Sequence, residues 1–208
     1  GNELNMNLKI LSLVIIGVCI LLPDVCYAFL SKDVHLLNMQ NGLADNTVSA
    51  VYKDKEGFIW FGTRNGLSRY DGRRITNFER SRSYPSISNL KEVFDGVLAF
   101  VDNGVFSAFD LKKERFLSVV SSSGQGIPSR GMLQRNDSLV WVISGSELHL
   151  MKRCASKEGE LRLRVQEKYT GWNNQDNLLV AITYSSDKKS ICLIDEKGRI
   201  ILLDATNL

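Results

Sequence analysis

The sequence is poor in the residues that usually carry chemistry. It has three prolines and two histidines, His35 and His149, among 208 residues. So few histidines argue against a His-rich metal site and against a phosphorelay histidine in this segment. Of four cysteines, Cys19 and Cys26 fall in the first 28 residues, which leaves Cys154 and Cys192, 38 residues apart. Two cysteines make no disulfide framework, and neither has a neighbouring His or a Cys-x-x-Cys partner. Whether they pair depends on a Cα separation that sequence does not supply. Charge of one sign is also lacking: 26 Lys and Arg against 23 Asp and Glu, or 25 against 21 once the first 28 residues are set aside. That balance argues against a dedicated nucleic-acid binder. Wholesale disorder is excluded by 44% hydrophobic and 24% charged residues. No segment keeps a helical period.

The one long apolar run, Ile10 to Leu22, follows Lys9 and precedes Pro23 and Cys26-Tyr27-Ala28. Thirteen residues are short for a bilayer span, which needs about 20. With the start at Met6, the pattern reads as a secretory signal peptide over residues 1–28, cut after Ala28. An uncleaved anchor is the alternative. Export to the periplasm follows from either reading, and about 180 residues remain, enough for one domain or part of a larger one.

Those residues repeat. Val48–Lys53, Phe58–Thr63, Leu67–Tyr70 and Ile75–Phe78 read as four short strands, separated by turns at Asp54-Lys55-Glu56-Gly57, Arg64-Asn65-Gly66 and Asp71-Gly72-Arg73. Asn-Gly and Asp-Gly between apolar runs predict hairpins, because these residues tolerate the positive φ of primed turns. The second strand, turn and third strand recur at 98–109, 139–151 and 190–204. Leu67, Val105, Leu148 and Ile200 are spaced by 38, 43 and 52 residues. A period near 40–45 with four strands predicts an all-β chain of propeller blades, each a four-stranded antiparallel meander. An irregular β-sandwich is the alternative.

The stretch Asn41-Gly42-Leu43-Ala44-Asp45-Asn46, followed by Asp54-Lys55-Glu56-Gly57-Phe58-Ile59-Trp60-Phe61-Gly62-Thr63-Arg64-Asn65-Gly66-Leu67 and Tyr70-Asp71-Gly72, resembles a known family. It is similar to the two-component regulator propeller of bacterial hybrid two-component sensor histidine kinases, most closely over 33–79 and more weakly beyond 90, where Trp141 alone echoes Trp60. The resemblance implies about four blades of a seven-bladed propeller at 29–208. It also implies an extracytoplasmic sensor whose parent is anchored in the inner membrane. The implied partners are an oligosaccharide ligand, the remaining blades and the downstream sensor and kinase modules, with a homodimer left open and no nucleic acid. Control of glycan-utilisation genes would be the output, and the chain itself would be a fragment or truncated product with no kinase core.

Individual residues divide accordingly. Trp60 is expected in the core between the first two blades, Tyr70 in the core, Gly62 at a close backbone approach and Gly66 in a turn. Asn46 is expected to form an Asx-turn. Ligand candidates lie on the face carrying second-to-third-strand turns and blade connections: Arg64, Asn65, Arg82, Tyr84, Trp172 and Asn173. An indole at Trp172 can lie against a sugar ring, or serve as an anchor at a blade edge. The arginines favour a neutral or anionic ligand. No catalytic residue, metal ligand or cofactor is expected. His-Glu-x-x-His, Gly-x-Ser-x-Gly and phosphate-loop patterns are absent. Ser186 to Lys189 sits in a charged turn, and no carboxylate pair stands out for glycoside cleavage. A propeller hydrolase or lyase, and a protein-interaction scaffold, are the competing readings.

Overall fold

In the computed structural model, residues 35–79, 86–171 and 177–206 are described. Fifteen strands follow one short 3-10 turn at Met39–Asn41. The first unit is β1 (Val48–Lys53), β2 (Ile59–Thr63), β3 (Gly66–Tyr70) and β4 (Ile75–Glu79), paired in sequence order and antiparallel throughout. The second is β5 (Ile87–Phe94), β6 (Val97–Asp102), β7 (Val105–Asp110) and β8 (Arg115–Ser121). The third is β9 (Gly131–Gln134), β10 (Leu139–Ser144), β11 (Glu147–Cys154) and β12 (Glu160–Tyr169). The fourth has three described strands, β13 (Leu179–Tyr184), β14 (Ser190–Asp195) and β15 (Ile200–Asp204).

The units are antiparallel meanders, as the turn chemistry predicts. At the β6–β7 turn, Asn103 (φ 49°) and Gly104 (φ 78°) are both left-handed, the geometry that matches the twist of the flanking strands. One pairing was not foreseen. β12 runs parallel to β8, with Glu160 opposite Ser118 and Leu163 opposite Ser121, so the second and third units share one eight-stranded sheet.

Burial follows from stacking. First strands of successive units are neighbours: β1 beside β5, β5 beside β9, β9 beside β13. Each core therefore lies between two units. Trp60 and Leu67 meet Ile87, Leu98, Phe100 and Phe109 between the first and second. Val93, Phe94 and Val101 meet Met132, Val140 and Val142 between the second and third. Trp141, Ile143 and Leu150 meet Leu179, Ile182, Ile191 and Leu193 between the third and fourth. All six residues of β6 are buried, because both its faces are covered. A Cβ on Gly62 would come within 2.5 Å of Ile87 Cγ2, so glycine sets how closely the first two units approach.

Three expectations need correction. Tyr70 is only half-buried, and its hydroxyl donates to the Gly72 carbonyl at 2.8 Å. The Asx-turn belongs to Asp45, whose Oδ1 accepts from Thr47 N at 2.6 Å; Asn46 reaches back instead to Met39 N at 2.8 Å. The second strand starts at Ile59, because Phe58 N donates to Asp54 Oδ1 and closes the turn. Cys154 and Cys192 are both free thiols. The leader, residues 1–28, lies outside the described residues.

Candidate functional site

Alternation of strand direction puts every second-to-third-strand turn at the same end of the units as the connections between units. Backbone hydrogen bonds tie the two together. Asn103 N donates to Ser86 O at 3.3 Å, Ser129 N to Gly104 O at 2.8 Å and Leu179 N to Gly145 O at 3.0 Å. This end is a braced loop face, and the bracing is repeated from unit to unit.

Arg64 and Asn65 sit on it, in the β2–β3 turn. Arg64 is exposed. Asn65 has a structural duty: its Nδ2 donates to Ala44 O at 3.0 Å and its amide N–H donates to Thr63 Oγ1 at 3.2 Å. The 42–46 segment is pinned further by Asn77 Nδ2 donating to Gly42 O at 2.9 Å and by buried Leu43. Arg82, Tyr84, Trp172 and Asn173 lie outside the described residues.

A cavity of about 360 Å³ opens on this face among Ser88, Asn89, Gly104, Ser129, Arg130 and Val180. It is built from the inner strand of the second unit, the β6–β7 turn and the approach to the third unit. Asn89 sits in the irregular stretch of β5, with φ 52°, and its Nδ2 donates to the Arg130 carbonyl at 3.0 Å. The strained backbone there is held by that cross-unit contact. Exposed Arg130 supplies the positive charge, and the serines and Asn89 supply hydroxyl and amide groups. Such a set can fork to hydroxyl or anionic groups of a polar ligand. Sequence reasoning singled out none of Asn89, Ser129 and Arg130. The feature that marks Asn89 is its left-handed φ, which sequence does not show.

At the third unit the face carries Glu147, His149 and Lys168. Glu147 Oε2 lies 2.6 Å from His149 Nε2 and 3.5 Å from Lys168 Nζ. The hydrogen bond from His149 holds the Glu147 carboxyl below its ordinary range despite partial desolvation, and the Lys168 charge adds to it. Beside them, burial pushes the Tyr169 phenol up to about 12, helped by its hydrogen bond to Glu167. His149 is 9% exposed, while the Glu147 and Lys168 side chains that it and its partner meet reach the surface. Among the described residues, no three His, Cys, Asp or Glu side chains gather to hold a metal, and no helix is long and apolar enough to cross a membrane.

Comparison with known proteins places this architecture. Residues 42–65 match the two component regulator propeller family. The extracellular domain of a putative hybrid two component system from B. thetaiotaomicron is similar over 83% of this chain and 25% of its own length, with TM-score 0.56 and 18% identity. The extracellular domain of a putative one component system from the same organism is similar over 86% of this chain and 28% of its own, with TM-score 0.57 and 16% identity. The β-propeller domain of Cps50 (Swd1) from Myceliophteria thermophila gives 0.54 at 16% identity, over 77% of this chain and 53% of its own. These likenesses establish the propeller fold. The chain spans about a quarter of the first two structures. No curated protein matches the sequence.

Proposed function

Starting from a chain whose residues 42–65 form a two-component regulator propeller repeat, we infer that it is an extracytoplasmic ligand-sensing segment of a hybrid two-component signalling protein. The ligand is an oligosaccharide, and the output is control of glycan-utilisation genes. The observation that supports this best is the loop face itself. Rigid hydrogen-bonded turns hold a cavity of about 360 Å³ whose lining includes Ser88, Asn89, Ser129 and Arg130. Loops on a rigid scaffold are where binding residues concentrate. Arg64 and Arg130 favour neutral or anionic sugars, and Tyr84 or Trp172 would stack on a ring.

Binding would shift a two-state extracytoplasmic equilibrium by no more than the ligand's differential affinity for the two states. The remaining blades, the downstream kinase modules and a membrane-anchored parent in the periplasm belong to the same reading. The test titrates glycan fragments against the complete sensor region by calorimetry, with Arg64→Ala, Arg130→Ala and Trp172→Ala alongside. Saturable binding without turnover, weakened about tenfold or more by a substitution that removes a charged hydrogen bond, is the expected result. Release of cleaved product would favour the hydrolase or lyase reading. Binding unchanged by all three substitutions would remove this site.

A further inference from the structure

The repeat itself exposes a second site, at the opposite end of the strands. In the first unit, Asp54 N donates to Phe58 O, Tyr52 pairs with Trp60, and the buried Trp60 indole N–H donates to Asp54 Oδ2 at 2.8 Å. The third unit has the same register: Arg135 N donates to Leu139 O, and Leu133 pairs with Trp141. Arg135 therefore stands where the first unit has Asp54, and Trp141 where it has Trp60. Trp141 is fully buried, yet its Nε1–H has no acceptor among the described residues. A buried donor left without a partner forfeits the hydrogen bond it gave up to water.

Arg135, which lies over that indole, also lines a cavity. About 540 Å³ lies between the third and fourth units, lined by Gln134, Arg135, Asn136, Tyr184, Lys188 and Ala205. The lining holds two cations and no carboxylate. Asn136 Oδ1 already accepts from Ser138 N, Ser138 Oγ and Leu139 N, which leaves its Nδ2 hydrogens as donors. Nearby Asp187 is engaged by the Ser185 hydroxyl and the Lys189 amide. Arg135 also caps the indole, its guanidinium carbon 5.4 Å from the ring centroid.

We propose that this cavity binds an oxyanion, a sulfate or carboxylate group, in the place that Asp54 fills in the first unit. Trp141 Nε1–H and Asn136 Nδ2 donate to it, and Arg135 and Lys188 supply the counter-charge. Arg135 swings off the indole to admit the anion and stays within reach of it. The site is independent of the loop face, so either can fail alone.

The test follows the indole N–H resonances of the ¹⁵N-labelled chain, assigned with Trp60→Phe and Trp141→Phe, during titration with sodium sulfate at ionic strength matched by sodium chloride. A parallel titration with glucuronate separates an acidic sugar from a free ion: tighter binding of glucuronate assigns the cavity to a sugar acid, and equal binding to a free oxyanion. The Trp141 resonance should move saturably while that of Trp60, already bonded to Asp54, stays. Arg135→Asp supplies the first unit's own acceptor, so its Trp141 resonance should start shifted and no longer respond. Lys188→Ala should weaken binding about two- to fivefold, the effect of one exposed charge. A Trp141 resonance that ignores both anions, or one that responds equally in Arg135→Asp and Lys188→Ala, overturns the proposal.

Discussion

At the scale of single residues, the first core is organised around Trp60. Its ring stacks on Phe78 at 5.6 Å and tilts against Phe109 of the next unit at 5.5 Å. Its N–H is satisfied by Asp54, a carboxylate that is 6% exposed and also closes its own turn through Phe58 N. The two residues thus join turn, strand and inter-unit packing. Trp60→Ala should cost about 3–5 kcal/mol, the range for emptying an aromatic core site. Asp54→Ala should cost about 1–3 kcal/mol by orphaning buried donors. Urea midpoints of the two variants check both figures, and a near-neutral Asp54→Ala would show that the indole bond carries little.

At the scale of elements, the parallel seam between β8 and β12 is the least ordinary feature. Ser118 N donates to Gly159 O at 2.8 Å at its start, and four residue pairs follow. Flanking charges reinforce it, since Lys113 and Arg115 both reach Glu158, at 2.8 and 3.0 Å. These pairs are largely exposed and contribute little by themselves. The backbone bond matters more, because the seam is where the outer strands of the two units pair directly. Ser118→Pro removes that donor and should destabilise by about 1–3 kcal/mol. Amide exchange would register it as faster opening across 159–163, with β10 protected as before; unchanged exchange there would show that the seam does not hold the units together.

At the scale of the whole molecule, every unit relies on a neighbour to cover its sheet, and the outermost sheets show the consequence. Ile200 and Leu202 on β15 are 65% and 68% exposed, and Val51 on β1 is 62% exposed. Apolar sheet surface of this kind favours association. The chain should self-associate as concentration rises, and Ile200→Lys with Leu202→Glu should reduce it. Light scattering that finds a monodisperse wild-type monomer would refute this.

Acid should act on the molecule as a unit too. Asp71 is held below its ordinary range by the Arg74 and Arg73 amides, Glu147 by His149, Glu158 by Lys113 and Arg115, and Asp187 by the Ser185 hydroxyl. A carboxyl with a depressed folded pKa stabilises above its unfolded value and loses that contribution as pH falls through the folded one. Tm should therefore hold down to the ordinary carboxylate range, about pH 4 to 4.5, and drop below it. A Tm that rises on acidification would contradict the sign.

What the sequence determined by itself was periodic and local. Alternating apolar strands, turn residues with access to positive φ and a recurring second-strand, turn and third-strand pattern were enough for the all-β blades and for the burial of Trp60. The turns at Asp54 to Gly57 and at Arg64 to Gly66 were legible too, because hairpin geometry depends on neighbours in the chain. Tertiary structure decided what depends on distance between units. The β8–β12 seam joins residues about 40 apart by a parallel pairing that no turn signals. The loop-face cavity gathers Ser88, Asn89 and Arg130 from different units. Arg135 reads in sequence as one more turn residue. Only superposed registers reveal that it stands where Asp54 would be, and only packing buries the Trp141 N–H it leaves unanswered. A hydrogen bond is decided by a gap of tenths of an ångström, and a repeat in sequence carries no such distance.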